Sequence, residues 1–108
     1  MQATSIEWTE IEKTIARKAF DKAYARETSA LIEEISSQAG AIKQLEQIWN
    51  LHDYLSARRH EIDGKYDYRY SMLVFVFARL VQEGWLQLEE LEGLATDKLK
   101  KIAALSRM

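Results

Sequence analysis

Apolar residues recur three and four positions apart along most of this chain, and no proline interrupts the recurrence. From Ile11 they run through Ile15, Ala19, Phe20, Ala23, Tyr24 and Leu31 to Ile35, a stripe of helical period with no strand-like alternation. A second stripe, Ile42, Leu45, Ile48, Trp49, His52 and Leu55, has the spacing of a helix lying along a partner helix. The chain holds only four glycines and is rich in residues that lose little on entering a helix, such as Ala, Leu, Glu, Lys, Gln and Arg. The fold class that follows is all-α.

Local signals set the expected boundaries. Thr9-Glu10-Ile11-Glu12 reads as a capping box that opens the first long helix. Ser36 to Gly40 is expected to turn the chain, with Gly40 in the left-handed geometry that closes helices. The second long helix is expected to end at Asp63-Gly64, just after the basic cluster Arg58, Arg59 and His60. Each long helix carries one narrow apolar stripe, and a lone two-helix hairpin cannot bury both. Pairing with a second hairpin into a four-helix bundle solves this, so the chain is expected to self-associate.

After Gly64 the pattern changes. Asp67 is a candidate cap for a helix whose middle, Met72 to Ala78, is apolar on nearly every side and therefore belongs in a core, although one side can remain exposed. Gly84 should stop it. Two short amphipathic segments follow, Leu86 to Leu94 and then Thr96 to Arg107, with Leu99, Ile102 and Leu105 inward. Residues 1–64 are thus read as a helical stalk and dimerisation region and residues 65–108 as a compact head of short helices, within one folding unit. Lys98, Lys100, Lys101 and Arg107 are read as a solvated basic face of the last helix.

Composition excludes several function classes. Cysteine is absent, which removes disulfides and thiolate metal sites and fits a reducing compartment. A net charge of −2 gives no field that would draw the chain to nucleic acid or anionic lipid. The longest apolar run is far short of the roughly 20 residues of a membrane span, and the N-terminal residues do not form a secretory signal. The expected setting is cytoplasmic, without membrane insertion.

No catalytic constellation is legible. His52 and His60 stand roughly 12 Å apart on a helix axis, too far for one metal ion without help from another segment. The GxSxG, P-loop and dinucleotide-binding patterns are all missing. Neither enzyme activity, nor a metal, nor a cofactor is expected. What remains is a helix face on which Trp49, His52, Asp53, Ser56, Arg59 and His60 fall three and four apart. Trp49 on that face suits either a dimer seam or a docking anchor, since Trp and Arg are the types most enriched at binding hot spots. The spacing leaves both open.

The stretch Ile48 to Asp67, IWNLHDYLSARRHEIDGKYD, resembles the cyanobacterial fluorescence recovery protein family. Phe20 to Glu27 resembles that family's first helix, Phe75 to Ala78 its head, and Ala95 to Lys98 with Lys101-Ile102 its tail, so the likeness covers nearly the whole chain. The resemblance implies an all-helical homodimer whose partner is the orange carotenoid protein, a photoactive quencher of phycobilisomes. It implies that the chain hastens the partner's return from its red, opened form to its orange resting form and its release from the antenna at the thylakoid surface. By the same resemblance Trp49, His52, Asp53 and Arg59 match an activity patch that overlaps the dimer interface. Phe75 and Lys101 match head positions that meet the partner. Leu45, Ile48 and Trp49 are the expected dimer contacts, and an oligomer beyond the dimer stays open. The competing reading is a generic dimeric helical adaptor with another protein client.

Overall fold

Thr9 opens the first helix as its sequence predicts. Its hydroxyl accepts from the Glu12 amide at 3.1 Å while the Glu12 carboxylate accepts from the Thr9 amide at 3.0 Å. In a computed structural model that describes residues 7–108, this cap starts α1, Glu10–Gly40. A short turn leads to α2, Leu45–Lys65, which folds back along α1. An irregular strap, residues 66–72, which closes in a turn over Arg69 to Met72, leads to α3, Leu73–Gln82. A 3₁₀ turn, Leu88–Leu91, and α4, Thr96–Ser106, complete the chain. The described residues are all-helical with no β-strand, and they span 58 × 24 × 24 Å.

The core lies at one end of this rod. Leu73, Val74, Val76, Phe77, Ala78 and Leu80 of α3 are buried, and they pack with Ile102 of α4 and with Leu86, Leu91 and Leu94 around the 3₁₀ turn. The N-terminal half of α1 belongs to the same core, through Ala16, Ala19, Phe20 and Ala23, and Trp8 joins it from just before the helix. Small residues at 16, 19 and 23 let the backbone of α1 approach the apolar elements closely. Gly93 makes a similar approach at φ +109°, where an added Cβ would stand 2.4 Å from Ile15 Cδ1.

Several boundaries differ from those predicted. Gly40 does not adopt the left-handed geometry; α1 runs through it and closes on Ala41 with φ −96°. Gly64 also lies inside its helix, and α2 continues to Lys65, whose ammonium is held by Glu27 and Glu83. A glycine costs a helix only about 1 kcal/mol, which a few anchored contacts beyond it outweigh. Asp67 caps no helix. Arg69 clasps it within the strap, and Met72 stands at the N-cap of α3 without a side-chain cap. Gly84 does end α3, at φ +85°. The expected segment Leu86 to Leu94 is helical only over the 3₁₀ turn.

The burial of three side chains also departs from the sequence reading. Ile11, placed in the inward stripe, is 71% exposed, because the inward face at that level is taken by Glu12 and Ala16. Tyr24 stands half out of the surface. Lys98, placed on a solvated basic face, is buried, with its ammonium 3.0 Å from both Glu12 oxygens and 2.6 Å from the Glu7 carbonyl. An ammonium can leave water where it finds a carboxylate and a carbonyl together.

Candidate functional surfaces

Helix α2 has two unlike faces. One carries Leu51, Tyr54, Leu55, Arg58, Ile62 and Lys65 toward α1, where the Tyr54 hydroxyl donates to Glu34 at 2.9 Å and Arg58 reaches Glu27 at 3.2 Å. The hydrogen bond to Glu34 raises the Tyr54 phenol above its usual range. The other face carries Leu45, Ile48, Trp49, His52, Asp53, Ser56 and Arg59, every one of them exposed within the single chain. Trp49 is 56% exposed and Leu45 62%, unusual values for large apolar side chains set side by side.

The polar members of that stripe are paired only lightly. His52 Nδ1 lies 3.3 Å from Asp53 Oδ1, and Arg59 Nε lies 3.7 Å from Asp63 Oδ2 one turn along. Both pairs are solvated, so each contributes well under about 1 kcal/mol. The guanidinium of Arg59 and the Asp53 carboxylate are therefore available to a partner at little cost. No group of three His, Cys, Asp or Glu side chains converges on one point among the described residues.

A second surface forms in the head. Phe75 is the exposed member of the apolar run in α3, at 46%, and Lys101 of α4 places its ammonium 5.3 Å from the Phe75 ring centroid. The cation–π contact is worth about 0.5–1 kcal/mol at such an exposed site. It joins, on one surface, two residues that stand far apart in the sequence.

Between the two surfaces lies a feature that the apolar stripes did not reveal, a cluster of ion pairs around Glu27. This carboxylate is 1% exposed and accepts from Lys65, Arg58 and the Tyr66 hydroxyl. Burial pushes Glu27 up, but these donors outweigh it and hold the carboxyl below its ordinary range. The Tyr66 phenol is driven well up, by burial and by its bond to Glu27. A signal was present in the sequence: position 27 continues the inward row Ala16, Ala19, Ala23, so an acid there has to find a cation. Near the other end of the core, burial raises the Glu12 carboxyl, yet the Thr9 and Ala95 amides and Lys98 bring it to about 2.

The chain is an all-helical stalk and head that displays two side-chain surfaces and keeps its buried charges in ion pairs. Residues 8–106 match the family model described as photoprotection regulator fluorescence recovery protein. The fluorescence recovery protein of Synechocystis sp. is 49% identical over 108 residues, covering 100% of this chain and 99% of that protein. The solved structure of the Fremyella diplosiphon fluorescence recovery protein superposes with a TM-score of 0.92 at 59% identity, covering 94% of this chain and 100% of the other. The solved Synechocystis structure gives a TM-score of 0.91 at 51% identity, with the same coverage. The chain belongs to the fluorescence recovery protein family of photoprotection regulators.

Proposed function

We propose that this chain is a non-enzymatic regulator that binds the light-activated red form of the orange carotenoid protein. It speeds that partner's return to the orange form and its detachment from phycobilisomes, so that quenching ends. Family membership supports the reading, and one observation carries it into the molecule: the exposed stripe Leu45, Ile48, Trp49, His52, Asp53 and Arg59, apolar at one end and charged at the other.

In this reading the apolar end, Leu45, Ile48 and Trp49, pairs with the same stripe of a second copy. A two-fold axis presents self-complementary surfaces in this way. The charged end, with His52, Asp53 and Arg59, and the head pair Phe75 and Lys101 meet the carotenoid protein. A protein hastens a conformational return only by binding its transition state more tightly than the red state, and it is released when the compact orange form binds weakly. Two surfaces on one scaffold can hold separated parts of the partner near each other, so that their reunion becomes an effectively intramolecular step. No helix among the described residues is long and apolar enough to cross a membrane.

The test is to mix the purified chain with illuminated orange carotenoid protein and time the colour reversal. Acceleration at substoichiometric amounts of the chain is expected; an unchanged reversal rate overturns the reading and leaves an adaptor for another client. Trp49→Ala separates the two roles of the stripe. If the ring sits in the seam, size-exclusion chromatography shows a monomer. If the ring is a docking anchor, the oligomer persists while reversal slows.

A further inference from the structure

Six charged side chains from three helices form a closed ring at the junction of hairpin and head. Glu27 of α1 lies 2.7 Å from Lys65 of α2, and Lys65 lies 2.7 Å from Glu83 at the end of α3. Glu83 lies 3.0 Å from Arg79, and Arg79 lies 3.1 Å from Glu61 of α2. Glu61 pairs with Arg58, and Arg58 returns to Glu27 at 3.2 Å. Signs alternate all the way round. Glu61 and Glu83 each engage one cation through each oxygen, Glu27 holds Lys65 with both oxygens and shares one of them with Arg58, and each of the three cations bridges two carboxylates.

Such a ring is a poor source of net stability, because desolvating the charges offsets most of their attraction. It is a good source of geometry. The Glu27 and Lys65 side chains are both 1% exposed, so neither can exchange its partner for water. A rotation of the end of α3 against α2 would break the Lys65–Glu83 and Glu61–Arg79 links together, with no substitute partner for Lys65 on the head side among the described residues. The ring also stands on the path between the two surfaces: Arg58 precedes Arg59 of the stripe, and Arg79 lies one turn beyond Phe75 on α3.

We infer that the ring is the element that fixes the head's orientation relative to the α2 stripe, with Glu83 and Arg79 as the positioning residues on the head side. Its use in activity rests on the two-surface reading above; its effect on geometry does not. The carboxyls of Glu27 and Glu83 are held below their ordinary range despite burial, as a ring charged throughout near neutral pH requires.

Glu83→Gln and Arg79→Gln each open the ring at its more exposed side and leave the Glu27–Lys65 pair intact. The chain has no cysteine, so Ser56→Cys on α2 and Lys100→Cys on α4 accept a spin-label pair. The labelled chain is diluted with unlabelled chain so that each assembly carries one labelled copy. In the intact ring the inter-label distances should form one narrow distribution, and either variant should broaden it roughly twofold while helix content is unchanged. Distances as narrow as those of the intact ring in both variants would overturn the proposal, whatever happened to thermal stability. If the two surfaces hold the partner's parts together, colour reversal by either variant slows on the order of tenfold. Broadened distances with full acceleration would sustain the ring and sink the two-surface reading instead.

Discussion

The two halves of α1 behave as if they belonged to different proteins. Its first half buries Glu12, Ala16, Ala19, Phe20, Ala23 and Glu27 within or beside the head, whereas from Thr28 through Glu61 no side chain is more than partly buried. The helix is continuous through both halves, so the contrast comes from what lies opposite. Near the head, α1 meets α3, α4 and the strap. Farther out it meets α2 alone, and Ile32, Leu45, Ile48 and Trp49 are left facing solvent. One half is complete within the chain; the other offers apolar surface, which the proposed function assigns to a second copy.

Substitutions can break or sharpen this contrast. The largest effect should come from Phe77→Ala, which removes a fully buried ring at the centre of the head and should cost about 3–5 kcal/mol in denaturant unfolding. Glu12→Gln should follow at about 3 kcal/mol, since it strands the buried Lys98 ammonium. The same pair gives the head an acid limit. The Glu12 carboxyl titrates near 2 in the folded chain against an ordinary 4.5, so its contribution is complete above 4.5 and is lost as pH falls through 2. That loss amounts to something on the order of 3 kcal/mol. An acid titration of the melting temperature should show it in the native chain and show less of it in Glu12→Gln.

Gly93→Ala should destabilise by roughly 1–3 kcal/mol, because it meets both a positive φ and the Ile15 side chain. Thermal melting of the two forms checks this. Gly64→Ala should do the opposite: the position is helical, with open space around it, and alanine should stabilise by about 0.5–1 kcal/mol. If Gly64→Ala destabilised the chain instead, the end of α2 would be misassigned. Smallest of all, Ile32→Ala should change single-chain stability by less than about 0.5 kcal/mol, because the side chain is 67% exposed. A larger loss that grew with protein concentration would show that a second copy covers this face.

Much of the fold was legible. Helical period, the Thr9 capping box, the core character of Met72 to Ala78 and the stop at Gly84 all follow from local chemistry, and the structure shows each of them. Most of the α2 stripe was legible too, because its members share one face by spacing, but Leu55, read into the same stripe, turns toward α1, and Ile42 lies before the helix begins. The pairing of Phe75 with Lys101 was not readable from spacing; it depends on α3 lying against α4. The glycines misled because a glycine signals only permission to turn, and whether the chain turns depends on what anchors the residues beyond it.

The sequence by itself determined that this chain is helical, where its apolar stripes run, and which family it resembles, since each is written in neighbouring residues. The tertiary structure alone decided which cation each buried acid meets. Glu27 meets Lys65 across 38 residues and Glu12 meets Lys98 across 86. A carboxylate tolerates burial only where a cation arrives with it, and that arrival is a property of packing, not of either residue's surroundings in the chain.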